Sequence, residues 1–356
     1  MLVKLEDVCN KATSNIMQKN IADHKGAYKI FGATGYIGAV DFYDQEESYV
    51  AIVKDGAGIG RTFLLPEKTS VINTMQYLLP KGNIIPEYLY YVVQFMHLEK
   101  YFTGSTIPHI YYRDYKNEIF NLVPIDQQIQ IVKKLDKINE LIDNKEKQMK
   151  KIDMIVKSRF IEMFGVYPAN PMGWEIGTIR DIVTEVRYGS SRPAVDGGKY
   201  PYLRMNNITY GGELDLSDTK RIDIPDNELD KCTVRRGDIL FNRTNSKELV
   251  GKTCVYDRDE MMVLAGFVIR IRVKDRILPE FLSAFLNTDF SKKMLLGMCK
   301  TAIGQANINA QELQNIGLYL PPVELQRRFV QFKKETDKSK FECPISLNLL
   351  KLYDIC

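Results

Sequence analysis

One ordered set of short segments occurs twice in this chain, and that duplication limits the folds open to it. Ile85-Pro86-Glu87-Tyr88-Leu89 is followed by a stretch containing glycine and threonine, then His109-Ile110, then Pro124-Ile125-Asp126-Gln127-Gln128 and a long helix-patterned run. Leu278-Pro279-Glu280-Phe281-Leu282 is followed in the same order by the polar loop Ala302-Ile303-Gly304-Gln305-Ala306-Asn307-Ile308-Asn309, by Pro322-Val323-Glu324-Leu325-Gln326 and by a second charged run. A tandem repeat of this size implies two similar units with two similar sites, facing an extended, quasi-symmetric ligand. The 356 residues hold two domains and their connectors comfortably.

Composition narrows the class. Apolar residues make up 45% of the chain, enough for globular folding throughout. The first residues, Met1 to Asp7, lack the apolar core of a signal peptide, and no apolar stretch approaches the ~20 residues of a membrane span, so a cytoplasmic location without membrane contact is expected. Cys9, Cys232, Cys254, Cys299, Cys343 and Cys356 form no CxxC pair, and His24, His97 and His109 stand at no ligand spacing; a structural metal is not expected. A net charge of +4 decides little by itself. Its distribution says more: residues 1–123 contain two arginines and twelve tyrosines, whereas residues 166–321 contain twelve arginines. The two halves share a segment order and differ in surface chemistry, as units of divergent specificity would.

The pattern gives mixed α+β units separated by long helices. Residues 1–123 form the first domain, 124–165 a first spacer helix, 166–321 the second domain, and 322–356 a second spacer helix with a short tail. The first domain opens at Leu5-Glu6-Asp7-Val8 and has a strand at Tyr49–Val53 and a helix from Pro86 to about Tyr101. The second opens at Ile179-Arg180-Asp181-Ile182, with strands at 237–241 and 263–269 and a helix from Pro279 to about Asn287.

From Pro124 to about Phe164 no glycine or proline intervenes, and Ile131, Leu135, Ile138, Ile142, Met149, Ile152, Val156 and Met163 repeat at three-four spacing, interrupted by Lys145 and Arg159. Such a helix is roughly 60 Å long at 1.5 Å per residue. Its narrow seam needs a helical partner, which the repeat supplies from Pro322 with Phe329 and Phe332, so an antiparallel coiled coil is expected. Thr336 and Ser339 dilute the second seam and Pro344 breaks it, leaving either a separate short helix or a shortened second spacer.

No catalytic set is legible. Gly56-Ala57-Gly58-Ile59-Gly60 is not the GxGxxG of a dinucleotide loop, and Gly251-Lys252-Thr253 lacks the first glycine of a P-loop, since Ser246 stands there. Asn170-Pro171-Met172-Gly173 lacks the second proline and the aromatic of an amino-methyltransferase loop. Pro225-Asp226 has no suitably spaced (D/E)xK after it for a nuclease site, and no Ser/His/Asp grouping is visible. A binding role follows, with polar loops as the working surfaces. Tyr28, Thr34, Tyr36, Lys54, Arg61, His109, Tyr111, Tyr112 and Arg113 are the candidates for DNA contact in the first domain. Arg192, Lys199, Arg204, Asn206, Asn207, Arg243, Asn245, Lys247, Gln305 and Asn307 are those of the second; these side chains can read base edges and phosphates. A coiled-coil scaffold that binds proteins without nucleic acid is the alternative.

In its two Pro-Glu-aromatic-Leu segments, its His109-Ile110 and Asn307-Ile308-Asn309 loops, Gly237-Asp238-Ile239-Leu240-Phe241-Asn242-Arg243, and Pro124…Gln128 with Pro322…Gln326, the chain resembles the specificity subunits of type I restriction-modification enzymes. The resemblance runs to about Lys340; it departs where the family has Glu-Gln and this chain has Gln127-Gln128 and Leu325-Gln326. It implies two target-recognition domains, each reading one half of a bipartite sequence in double-stranded DNA, with the helices fixing the gap. It also implies docking of two methyltransferase subunits and, through them, restriction subunits. S-adenosylmethionine, ATP and magnesium then belong to those partners, with no cofactor or catalytic residue on this chain.

Overall fold

The computed structural model describes residues 1–104, 108–246, 249–302 and 305–341. The chain divides into two compact units, Met1–Asp143 and Asn144–Cys356. Among the described residues, no helix is long and apolar enough to cross a membrane.

The first unit is organised around Tyr49–Val53, five consecutive buried residues, so the strand is covered on both faces. Antiparallel neighbours flank it in the order Cys9–Thr13, Met75–Pro80, Tyr49–Val53, Thr62–Leu65. A smaller sheet is centred on Tyr28–Gly32, which pairs antiparallel with Gly35–Val40 and parallel with Ser70–Val71. Tyr49, Ala51, Val53, Leu65, Val71, Met75 and Tyr77 form one core cluster of this unit.

The second unit repeats this frame. Its four-stranded antiparallel sheet runs Val183–Tyr188, Val268–Val273, Ile239–Asn242, Thr253–Val255. Its smaller sheet has four strands: Tyr200–Leu203 is again antiparallel to one neighbour, Lys220–Ile222, and parallel to the other, Met262–Leu264, which pairs in turn with Thr233–Val234. Each unit is closed at its base by a short antiparallel pair, Leu2–Lys4 with Ile119–Asn121 and Glu175–Thr178 with Gly317–Leu320. Single helical turns follow, Leu5–Val8 and Ile179–Ile182, opened by Asp7 Oδ2 accepting the Lys4 N–H at 2.8 Å and Asp181 Oδ2 accepting the Thr178 N–H at 2.7 Å.

Three expectations shift. The helix expected to reach Tyr101 is Pro86–Phe95, because His97 adopts a left-handed backbone (φ 49°) before a short 3-10 turn, Leu98–Tyr101. The run 263–269 is two strands, Met262–Leu264 and Val268–Val273, in different sheets: the Val268 N–H bonds Ala265 O across a tight turn. The strand expected from Gly237 begins at Ile239, because Gly237 takes φ 91° in the preceding turn.

The spacer helix runs Ile125–Phe164, and the boundary between the units falls inside it rather than at its ends. Its first turns are tied into the first unit: Tyr91 Oη donates to Asp136 Oδ1 at 2.6 Å and accepts from Asn139 Nδ2 at 2.9 Å. Its last turns carry Phe160 and Phe164 into the core of the second. Gly165 stops it at φ 83°, where a Cβ would lie 2.6 Å from the Pro171 ring. Beyond it Trp174 Nε1 donates to Phe164 O at 3.1 Å.

The second spacer helix, Val323–Phe341, presents Phe329 to Phe160 and Phe164, with ring centroids 5.2 and 5.7 Å apart. Lys333 and Asp337 line one groove with Asp153 and Val156, so these contacts run in the antiparallel sense. Phe332 lies under the Arg159 guanidinium at 5.7 Å, so the arginine that interrupts the apolar seam still covers it. Leu135 is buried, and Ile131, Ile138, Ile142, Met149 and Ile152 are half-buried. Residues 342–356, where the short tail was expected, lie outside the described residues.

Candidate nucleic-acid interface

In both units the central strand leaves the sheet into a loop that is caught by the segment before the spacer helix. After Tyr49–Val53 the chain passes through Lys54-Asp55; the Ile110 N–H donates to Lys54 O at 2.9 Å and the Gly56 N–H to Pro108 O at 2.9 Å. After Ile239–Asn242 it passes through Arg243-Thr244, and the Ile308 N–H donates to Arg243 O at 2.9 Å. Both loops return through a left-handed glycine, Gly60 (φ 81°) donating to Val53 O and Gly251 (φ 77°) donating to Asn242 O. The main chain therefore places Lys54 with Arg243, Asp55 with Thr244, and His109 with Asn307.

Several predicted residues of the first unit come together here. His109 Nδ1 lies 2.7 Å from Asp55 Oδ1, and Lys54 Nζ pairs with the other oxygen of Asp55. Tyr111 stacks on His109 at 6.3 Å, and the exposed Arg113 guanidinium sits over Tyr111 at 4.9 Å. Arg61 NH1 donates to Ala33 O at 2.8 Å, which joins the glycine-rich loop to the hairpin tip that exposes Thr34 and Tyr36. Tyr28 is half-buried, edge-on to Tyr43 at 4.8 Å. Tyr112 is a correction: its ring turns inward against Tyr115, and its hydroxyl meets the Cys9 thiol, whose pKa burial pushes up to about 12.

In the second unit Arg243 covers the face of Tyr188 at 4.8 Å, and Tyr188 Oη accepts the Ala310 N–H at 2.8 Å. Thr244 Oγ1 donates to Asn307 Oδ1 at 3.3 Å, and Thr244-Asn245 pairs with Ala306-Asn307 in a small sheet completed by Lys300–Ala302. Gln305 lies in the strand Gln305–Asn307, with its side chain outside what is described; Lys247 lies outside the described residues.

The remaining predicted residues gather on the smaller sheet. Arg192 forks onto Glu228 at 2.7 and 3.2 Å, Arg204 pairs with Asp218 at 2.8 Å, and Lys199 extends over the Tyr200 ring at 4.9 Å; Asn206 is exposed. Asn207 is a second correction. It is buried, its Oδ1 accepts the Arg204 N–H and its Nδ2 donates to Asp215 O and Asp218 O, so its hydrogen-bonding capacity is spent inside the loop.

Sequence reasoning passed over Asp55 and Tyr188. Each is paired to a predicted residue more than fifty positions away, and the signal that finds them is the alignment of one copy on the other. Among the described residues, no group of three or more His, Cys, Asp or Glu could hold a metal ion.

The family model for the type I restriction modification DNA specificity domain matches residues 1–154 and again 171–343, one match for each copy of the frame. The chain belongs to this family. The specificity subunit of the type I restriction enzyme EcoKI from Escherichia coli K12 is 25% identical over 224 residues, 58% of this chain and 48% of that protein, so the chain spans about half of that relative. The MjaVIII specificity subunit of Methanocaldococcus jannaschii is 27% identical over 319 residues, 82% of this chain and 72% of its own length. The crystal structure of a type I restriction-modification S subunit from M. genitalium matches with a TM-score of 0.53 at 15% identity, covering 100% of this chain and 94% of that one, a likeness of fold.

Proposed function

We propose that this specificity-domain protein is the DNA-recognition subunit of a type I restriction-modification assembly, each unit reading one half of a bipartite double-stranded target. The observation that carries this reading is the doubled site: one main-chain loop, caught the same way in both units, presents Lys54, His109, Tyr111 and Arg113 in one and Arg243, Asn245 and Asn307 in the other. Cations over aromatic faces and exposed amide and imidazole groups are the chemistry of phosphate and base-edge contact. Two similar sites with different side chains suit a target whose halves differ.

The spacer helix then acts as a ruler, its length fixing the gap between the halves, and with its partner helix forms a coiled coil on which two methyltransferase subunits dock, with restriction subunits joining through them. On this reading the protein works in the cytoplasm. S-adenosylmethionine, ATP and magnesium are held by those partners, and this chain supplies recognition without catalysis.

The deciding experiment maps methylated adenines in cells with and without the gene, its methyltransferase subunit being present. Loss of one two-part motif on deletion is the expected result; an unchanged map overturns the reading.

A further inference from the structure

The two copies allow a comparison inside one molecule: what is kept between them is frame, and what differs on a kept frame is where they can discriminate. The loop carbonyls of Lys54 and Arg243 accept from Ile110 and Ile308, and Gly60 and Gly251 turn the returning chain. On that shared backbone, the residue before each isoleucine is His109 in one unit and Asn307 in the other. The residue facing it across the loop is Asp55 in one and Thr244 in the other. Both members of the pair differ between the copies, and in both units they bond to each other, at 2.7 and 3.3 Å.

We propose that this facing pair is the specificity-determining position of each unit, with Asp55 and Thr244 setting the hydrogen-bonding polarity that His109 and Asn307 offer to a base edge. The proposal rests on the DNA-recognition reading above. A carboxylate accepts, so the His109 tautomer that carries its proton on Nδ1 bonds Asp55 and leaves Nε2 as an acceptor. In the major groove an acceptor is matched by the amino groups of adenine and cytosine. Thr244 occupies Asn307 Oδ1, which leaves Nδ2 as a donor, matched by guanine O6 or N7, adenine N7 or thymine O4. Neither His109 Nε2 nor Asn307 Nδ2 bonds to anything among the described residues, and both side chains reach solvent.

The surroundings fit this role. Tyr111 stacks beside His109 with Arg113 across it, and Arg243 covers Tyr188 next to Thr244, so each pair stands beside a cation and an aromatic face suited to anchoring the backbone. Asp55 and Thr244 are positioning residues, which touch the reader and not the base.

The test uses the full chain co-produced with its methyltransferase subunits and reads adenine methylation across a random-sequence duplex library. The double variant Asp55→Thr with His109→Asn transplants the second pair into the first unit. It is expected to change base preference on the order of tenfold at one position of one half-site, leaving the other half and the gap as they were. Asn307→Asp, nearly isosteric, turns the donor into an acceptor and is expected to shift one position of the opposite half by a similar factor. Should the double variant fail to fold, judged by circular dichroism, Asn307→Asp decides alone. Motifs unchanged in folded complexes, or preferences altered in both halves by one variant, overturn the proposal. A wild-type complex that writes no bipartite motif overturns the DNA-recognition reading itself, and this inference with it.

Discussion

The amide oxygen of Gln128 accepts the main-chain N–H of Ile85 at 2.9 Å, just ahead of the proline that starts the helix Pro86–Phe95. Its amide nitrogen donates to Asn83 O and Val123 O, and the residue is fully buried. Gln326 makes the same three bonds in the second unit, to the Leu278 N–H, Arg276 O and Pro321 O. A single side chain thus ties a helix start, a preceding loop and the entry to a spacer helix. Gln128→Ala or Gln326→Ala strands these main-chain groups and is expected to cost about 2–4 kcal/mol. Urea unfolding followed by circular dichroism measures it, and a loss near zero would show that water replaces the amide freely.

In the second unit Arg272 forks onto the buried Asp238 at 2.7 and 3.1 Å and reaches Glu185 at 3.2 Å, while Arg270, also buried, pairs with Glu185. Burial alone would raise the Glu185 pKa, but the hydrogen bond from Arg270 and the charges of Arg270, Arg272 and Arg187 outweigh it and hold the group below the usual carboxylate range. A depressed carboxylate stabilises the fold above its unfolded pKa of about 4.3 and loses that contribution as pH falls through the lower folded value. Glu185→Gln is therefore expected to flatten the acid limb of the stability curve below about pH 4.5. Asp238→Ala, which leaves Arg272 only its contact with Glu185, is expected to cost about 3 kcal/mol at neutral pH.

Lys292 donates to Gly251 O at 2.6 Å, and burial, with the charges of Lys157 and Lys252 added, lowers its pKa to about 7. A lysine depressed on folding penalises the folded state wherever the unfolded chain still holds the proton, from below about 7 up to the ordinary lysine value near ~10.4. Lys292→Met is expected to be more stable than the wild type at pH 7, with the advantage shrinking as pH rises towards ~10. Thermal melts across that range check it; an advantage that stays flat with pH argues that the amine is solvated.

Arg113 is exposed over Tyr111 with only its Nε near a carboxylate, Asp114 at 3.5 Å, whereas Arg192 is forked onto Glu228 at 2.7 and 3.2 Å. On the DNA-recognition reading, Arg113→Ala weakens binding across all sequences and reduces the salt slope by about 0.9 for one lost phosphate contact. Arg192→Ala leaves the slope unchanged and shows in stability instead. Titrations at several salt concentrations separate the two.

Removing seven residues, Lys145–Lys151, from the spacer helix keeps its seam in register and shortens it by about 10 Å. If helix length is the ruler, the methylation motif loses roughly three base pairs of gap while both half-sequences persist. An unchanged gap would refute the ruler.

Much of this was legible in the chain. The spacer helix follows from forty residues without glycine or proline, and its observed span, Ile125–Phe164, ends just before Gly165. Tyr49–Val53 shows as an unbroken apolar run, and the duplication pointed to both loops. The facing of Asp55 on His109, or Tyr188 under Arg243, was not legible, because each pair is set by sheet register between distant segments. Nor could Tyr112 and Asn207 be told from the exposed polar residues beside them. An aromatic or amide in a polar loop faces solvent or interior according to the local turn, and here a buried thiol and a capped 3-10 turn decide.

Trp174, the sole tryptophan of the chain, hangs by its indole N–H from the carbonyl of Phe164, the last residue of the spacer helix. Its indole packs against the core of the second unit, so its fluorescence is a native probe of that unit and needs no label. A spectrum that moves when a ligand is added therefore reports an event felt at the end of the spacer helix, in the unit that holds Phe164.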